Sequence, residues 1–514
     1  MSLKDASSLN EEKNSTISDL SEHALPTVEN VDEVHELDYS EAEYSKLLKK
    51  MDWILLPLMW IAYGVQQADK TGISTQALFS FRQDNGLVGQ QYSWLSTIFY
   101  LSYLVFEFPM SYLMQRVSVG KTLSVLMFFW GTVVLCTAFA HNWAGLMVLR
   151  TLQGLLECTI SPSFLLIIGT WYKTSEHASR SIIWGTANAG FGVIVSLCMY
   201  AIGNSATNHK SGLAAWKGIS FFLGGTTILL SIVAWFFLGT PREVAWVSKE
   251  ERRIAQARIV SNKTGTDHHK RREWKKDQAI EAFLDPSTWF LFCSVVLGAL
   301  PNGGITSFGN LVYTSFGFTS LQTILYGIPQ NVVSIFWFLL MGYLCRRVPR
   351  SRFYIMLVSI VPAFVGLLAL ALLPSSNSFR WVKFGMYFMT VTSNINGLLL
   401  WMHVPSNVGG RTKKSVVSSI MFIAYCVGNA GGSQFFLAKD APRYIPALIA
   451  CSICLGLEFV FILTWRIWLS SQNYCRDKAA EAAGLTPEQI KVLGAENGER
   501  DMTDRQNPHF RYDY

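Results

Sequence analysis

Long apolar runs alternate with short polar breaks over most of the chain. A helix needs about 20 mostly apolar residues to cross a hydrocarbon layer roughly 30 Å thick. Runs of that length fall near residues 53–75, 91–114, 121–140, 143–171, 179–202 and 217–239 in the first half. In the second half they fall near 287–312, 322–345, 353–373, 380–404, 414–437 and 444–470. The pattern therefore predicts an all-α integral membrane protein of twelve transmembrane helices in two six-helix bundles, over 51–240 and 286–470. Between them, residues 241–285 include "PREVAWVSKEERR" and "HHKRREWKK" and read as a basic cytoplasmic linker. Residues 1–50 and 471–514 are polar and hold no apolar run able to build a core. They read as a disordered N-terminal tail and a mobile C-terminal tail.

Composition supports the membrane assignment. Half of the 514 residues are hydrophobic and 15% are charged, against about 25% charged residues in soluble domains. Met1 is followed by acidic, Ser/Asn-rich sequence, so no cleaved signal peptide is expected and the first span directs insertion. Lys and Arg concentrate in alternate loops, at Arg116 and Lys121, Lys173 and Arg180, the linker, "RRVPRSR" at 346–352 and "RTKK" at 411–414. Positive residues are retained on the cytoplasmic side, which places both termini there. The plasma membrane is the expected location, with an internal membrane as the alternative. The linker's charge then follows from topology and contact with acidic lipid headgroups, and no nucleic-acid partner is expected. Sequons at Asn14 and Asn262 would also face the cytoplasm, where the acceptor chemistry does not occur.

Two stretches repeat in register. "SYLMQRVS" at 111–118 closes the second span and "GYLCRRVP" at 342–349 closes the eighth. Parallel repeats of six helices hold substrate near the midplane and rock against each other.

Four stretches carry a closer likeness: "ADK" in the first span; "QYSWLSTIFYLSYLVFEFP" and "QRVSVGK" around the second; "RTLQGLLECTISP" in the fourth; and "NVGGRTKKSV", "GNAGGSQFF" and "DAPRY" around the eleventh. Through them the chain resembles the fungal allantoate permease group, in the anion:cation symporter branch of the major facilitator superfamily. The resemblance spans essentially all of 45–470. It implies proton-driven import of a small organic anion, a carboxylate or sulfonate nutrient or vitamin, with no cofactor beyond the proton gradient and no catalytic residues. It implies protonation at Asp69 and Glu157 and substrate contact at Lys70 and Tyr103, and it favours Asn429 and Gln434, which the family pattern includes, as further substrate-binding residues. Two departures concern gating. The usual acid between spans two and three is Gln115 here and its second-half counterpart is Arg346, so Gln115, Arg116, Arg346 and Arg347 form the candidate gate set. Ser433 stands where the group often has proline.

The buried charges also carry a physical argument of their own. An ionisable residue within a span costs about 2.5–3.5 kcal/mol on insertion scales and faces a partner or a watery cavity. Asp69, Lys70, Glu107, Arg150, Glu157 and Glu458 are such residues. At 1.5 Å of rise per residue, Asp69 lies about 24 Å into span one and Arg150 about 10 Å into span four from the opposite side. They fall at similar depth, where pairing is expected. Glu157 follows Arg150 by roughly 700° of helix and shares its face. A carboxylate approaching or leaving a cation loads or releases a proton, which makes Asp69 beside Arg150 a switched acid and Glu157 a second proton site. The competing reading is a set of fixed ion pairs joining spans one and four. Glu107, before Pro109, reads as a packing or gate residue, and Glu458 receives no role. Asn310, Asn394 and Asn396 fit either ligand contacts or interhelical bonds. His403 is expected near the cytoplasmic mouth.

Other motifs lead nowhere. "VGKT" at 119–122 lacks the glycine a phosphate loop needs, since position 115 is Gln. Cys451 and Cys454 have redox-like spacing but sit in an apolar span, and the scattered cysteines suggest neither a disulfide framework nor a metal site. A monomeric proton symporter is the leading reading. A nutrient-sensing receptor on the same fold and an uncoupled facilitator remain open.

Overall fold

The computed structural model describes residues 39–208, 212–260, 274–348, 350–374 and 376–514. Asn14, Asn262 and the first 38 residues lie outside them. Helix α1, Glu41–Gln76, starts twelve residues before its apolar run because Ser40 and Glu43 form a capping box, in which each side chain bonds the other's backbone N–H. The end of the expected disordered tail is thus helical, and Lys50 on it reaches Glu251 at 2.8 Å.

The first half continues with α2 (Gln91–Met114), α3 (Val119–Cys136), α4 (Trp143–Glu157), α5 (Ile160–Trp171), α6 (Thr174–Gly185), α7 (Ala187–Asn208) and α8 (Ala215–Phe237). Helices α9 (Lys249–Val260) and α10 (Lys276–Leu284) belong to the linker. The second half comprises α11 (Pro286–Thr314), α12 (Ser320–Tyr326), α13 (Ile328–Arg347), α14 (Arg352–Leu372), α15 (Arg380–Met389), α16 (Asn394–Asn407), α17 (Arg411–Gly432) and α18 (Ile445–Ala482), with α19 (Pro487–Glu499) beyond it. Among the described residues, nine helices are long and apolar enough to cross a membrane. The other three expected spans are helical at the expected places but more polar or broken. Span one carries Gln66, Gln67, Asp69 and Lys70, span two is rich in Ser and Tyr, and span ten is divided by a 3-10 turn at Thr390–Ser393.

One buried core lies almost wholly in the first half, and a second fills the second half but also takes in Ile73, Tyr92, Leu95 and Trp216 of the first. A third cluster joins them, with Phe99, Tyr100, Tyr103 and Cys158 of the first half against Cys426 and Ala430 of the second. Small residues set the closest approaches, as they do where membrane helices pack without a hydrophobic drive. A Cβ on Gly154 would stand 2.5 Å from the Phe99 carbonyl oxygen, so this glycine lets α4 lie against α2 at the depth of the buried charges.

The C-terminal segment corrects the expectation of a mobile tail. Helix α18 runs on to Ala482, and α19 follows after a turn. The last residues then return to the bundle, where Asp504 meets Lys413 at 2.7 Å and Asp513 meets Arg352 at 2.8 Å. Polar composition rules out an apolar core, but helix ends that are themselves polar can still be joined by ion pairs.

Candidate functional site

The buried charges converge on a narrow gap between the two halves. It is lined by Lys70 and Ile73 of α1, Ser96, Phe99 and Tyr100 of α2, Arg150 of α4 and Thr306 of α11. Helix α4 stops at Glu157 and α5 resumes at Ile160. Such an interruption is tolerated at membrane depth where it is buried in protein or lines a cavity.

Two charge pairs stand side by side. Lys70 Nζ lies 3.2 Å from Glu157 Oε1, with the lysine side chain 9% exposed and the glutamate 0%. Among the described residues neither Glu157 oxygen has a well-aligned hydrogen bond, and Lys70 is the cation in contact with this carboxylate. Lys70 also lies 5.3 Å above the centre of the Tyr103 ring, whose face attracts cations. Asp69 is held differently. Its Oδ2 accepts hydrogen bonds from Trp130 Nε1 at 2.8 Å and from Gln153 Nε2. Arg150 Nη1 donates to Gln153 Oε1 at 3.0 Å. The expected direct pair of Asp69 with Arg150 is therefore replaced by a bridge, in which the Gln153 amide donates to Asp69 and accepts from Arg150. The depth estimate placed the charges level, but the amide one turn from Arg150 reaches Asp69 first.

Tyr103 is buried within an aromatic group, its ring 5.7 Å from Phe422. Asn429 and Gln434 do not reach the charges. Asn429 donates to the Tyr425 carbonyl at 2.8 Å and accepts from Asn302 Nδ2 at 2.9 Å, tying α17 to α11. Gln434 Nε2 donates to Thr97 Oγ1 at 2.7 Å, which puts it in a seal between the halves.

That seal occupies the end of the molecule remote from the termini. Tyr92 donates to the Ser307 carbonyl at 2.7 Å and Thr97 to the Ala430 carbonyl at 2.9 Å. The hydroxyls of Ser96 and Ser307 lie 2.7 Å apart, and Ser433 donates to Ser96 at 2.9 Å. Asn310 Nδ2 donates to Thr75 at 3.0 Å. Toward the other end ring contacts join the halves, with Phe422 against Tyr103 and Phe108 and Tyr425 against Tyr100. Gln115, Arg116, Arg346 and Arg347 all lie exposed at that end. Arg116 and Arg347 stack on Tyr112 and Tyr343 of their own helices, and among the described residues the structure joins the two loops by no hydrogen bond or ion pair. Because the remote seal is polar and shared among many bonds, weakening it should open that end. In a Thr97→Val, Ser433→Ala variant, a cysteine placed at Thr306 in the gap should react with a membrane-impermeant thiol reagent at least several times faster than in the parent, since three bonds across the seal, of about 1 kcal/mol net each, are lost. Equal rates would mean that the hydroxyls do not hold the seal.

Several polar residues join elements away from the gap. Asn396 donates to Glu458 at 3.1 Å inside the second bundle. His403 is buried against Trp465 and hydrogen-bonded with Asn407, which in turn meets Asp513, so it packs the bundle near the end that carries the termini. Sequence reasoning missed Trp130 and Gln153. Gln153 had a signal, since it follows Arg150 by three residues on the same helix face within "RTLQG". Trp130 had none.

A helical bundle of two halves with opposed buried charges facing a gap between them defines a polytopic membrane transporter. A family model described as Major Facilitator Superfamily matches residues 59–433. The chain is 32% identical over 508 residues to the allantoate permease of Saccharomyces cerevisiae, covering 96% of this chain and 91% of that one. It is 33% identical over 489 residues to an uncharacterized transporter of Schizosaccharomyces pombe, covering 93% and 91%. The thiamine pathway transporter of Saccharomyces cerevisiae is 29% identical over 93% of this chain and 88% of its own. Among solved structures, an inward-facing bacterial homolog of the human lysosomal transporter Spinster superposes with a TM-score of 0.58 at 16% identity, over 83% of this chain and 96% of that one. The chain belongs to the major facilitator superfamily and, within it, to the allantoate permease-like family of fungal transporters. It is a multi-pass membrane transporter, not an enzyme.

Proposed function

We propose that the protein imports a small organic anion, a carboxylate or sulfonate, together with protons by alternating access. The observation that supports this most is that Lys70 and Arg150, two cations, line the same gap, while Glu157 contacts Lys70 from the protein side and Asp69 is joined to Arg150 through Gln153. An anion entering the gap competes with Glu157 for Lys70. A proton on Glu157 removes that competition and leaves the lysine free to hold the anion. Proton and anion thus favour each other's binding, which is positive coupling between two sites. The loaded site carries the same net charge as the empty one, so the gap meets no uncompensated charge when the halves rock.

Asp69 is the second acid of the scheme. With Gln153 bridging it to Arg150, a shift of α4 against α1 would carry off the Gln153 hydrogen bond and the Arg150 charge together, leaving Trp130 of α3 as its donor, and so change its hold on a proton. Tyr103 would border the substrate beside Lys70. With the termini in the cytoplasm, the hydrogen-bonded seal that includes Gln434 is the external gate. The exposed Gln115, Arg116, Arg346 and Arg347 belong to the cytoplasmic gate, closed in the opposite state. The allantoate permease of Saccharomyces cerevisiae is named for a small organic anion, which fits this charge pattern. We further assign the protein to the plasma membrane as a monomer that uses the proton gradient and no cofactor.

Uptake of a panel of labelled organic acids in a transport-deficient cell, with external pH recorded at the same time, tests the reading. Accumulation with external alkalinisation is expected for at least one acid. Accumulation without a pH change would mean facilitation, and binding without accumulation would mean sensing.

A further inference from the structure

We propose that residues 500–514 are a clasp that binds the loop and helix start at 407–413 and holds the ends of α10, α14, α16, α17 and α18 as one body. The contacts are reciprocal and involve every one of those elements. On α17, Arg411 N–H donates to Asp501 Oδ1 at 2.7 Å and Gly409 N–H to Asp504 Oδ1 at 3.1 Å. Two carboxylates thus sit at the start of a helix, where backbone N–H groups lack internal partners and the dipole favours negative charge. Lys413, 1% exposed, is shared by Asp504 at 2.7 Å, Asp285 at 2.6 Å and Glu281 at 3.0 Å. On α16, Asn407 Nδ2 donates to the Asp513 carbonyl at 2.8 Å while Asp513 N–H donates back to Asn407 Oδ1 at 2.7 Å. On α18, Asn473 makes the same exchange with Tyr512, and Arg476 donates to the Phe510 and Asp504 carbonyls. Arg352 of α14 pairs with Asp513. Gln278 of α10 donates to the Asp501 carbonyl at 2.8 Å, and Lys275 just before it pairs with the Asp501 carboxylate.

The docked backbone leaves no room for side chains at the loop. A Cβ on Gly409 would stand 2.5 Å from Asp504 N, and Gly410 adopts φ +82° against Gln278 and Thr503. Both residues lie in "NVGGRTKKSV", so that stretch is shaped to receive the segment. Helix α17 carries Phe422 and Tyr425 in the ring contacts between the halves and ends beside the remote seal. Fixing its start to four neighbours makes the second half rock as a unit.

The inference stands apart from the choice of substrate, and so does its test. A protease site inserted in the exposed turn at 482–485 allows the purified, folded protein to be cut. Fragment 485–514 should stay bound to the cut protein at neutral pH. An Asp501→Asn, Asp504→Asn variant should release it at least tenfold faster. On release, backbone hydrogen exchange over residues 407–420 should rise at least tenfold while that of α3 is unchanged. A synthetic peptide of residues 500–514 should restore the protection, and the same peptide with both substitutions should not. Burial opposes charge on Asp501, but Lys275, the Arg411 N–H and Gln278 together hold its carboxyl below the ordinary value of 3.8. Its contribution is therefore present above that value and lost as pH falls through the lower one, so retention should weaken in acid. A fragment that leaves the parent protein at once, that binds more tightly in acid, or whose release leaves exchange over 407–420 unchanged would overturn the clasp.

Discussion

Glu157→Gln is expected to abolish accumulation driven by a pH gradient while leaving exchange of substrate across the membrane intact. Glutamine keeps the size of the side chain and cannot take up or release a proton, so it imitates the protonated glutamate at every pH. Lys70, no longer neutralised at 3.2 Å, stays available to an anion on both sides of the cycle, with the Tyr103 face still beneath it. Each proton moved down a gradient of one pH unit supplies about 1.4 kcal/mol, or about tenfold in accumulation. The variant should lose that factor, and its exchange rate should no longer depend on external pH. The measurement is a comparison of net uptake and exchange of the same labelled acid in proteoliposomes with and without an imposed gradient. Accumulation equal to the parent's would remove Glu157 from the coupling scheme and leave Asp69 as its acid.

The sequence revealed these charges more readily than their partners. An ionisable residue in an apolar run is conspicuous because of its cost, and that alone singled out Asp69, Lys70, Arg150 and Glu157. Cost does not say what satisfies the charge. Trp130 binds Asp69 from another helix and nothing in its run marks it, while Gln153, marked only by its spacing from Arg150, takes the place expected for Arg150. The spans were legible for the same reason as the charges. Helix α2 occupies the predicted residues 91–114, whereas the break between α4 and α5 at Cys158 and Thr159 was not, since neither residue is a glycine or a proline. Gln434 shows the limit of amides in spans: its side chain suits a ligand or a neighbouring helix equally, and only the position of Thr97 across the interface decides. The C-terminal segment was misread because lack of an apolar run excludes a core of its own but not docking through carboxylates, backbone bonds and the single rings of Phe510, Tyr512 and Tyr514.

Lys70→Gln separates the transport reading from a purely structural one. Removing the lysine leaves Glu157 fully buried with no cation in contact, and breaking a buried pair from one side costs about 3–5 kcal/mol. The single variant should therefore be unstable unless Glu157 takes up a proton, and its thermal stability should improve as pH is lowered, because the protonated acid carries no buried charge. The double variant Lys70→Gln, Glu157→Gln removes both charges and should recover most of the parent's stability, since two uncharged amides need no ionic partner. If the pair served only to join α1 to α4, recovery of stability would restore binding. If Lys70 holds the substrate anion, the double variant should fold yet bind about 10- to 100-fold more weakly, the worth of one charged hydrogen bond of about 1.5–3 kcal/mol. Binding is measured with the acid that the uptake panel selects, by equilibrium displacement on purified protein of verified thermal stability. Parent-like affinity in the folded double variant would return Lys70 and Glu157 to the role of an interhelical tie and move recognition of the anion to Arg150.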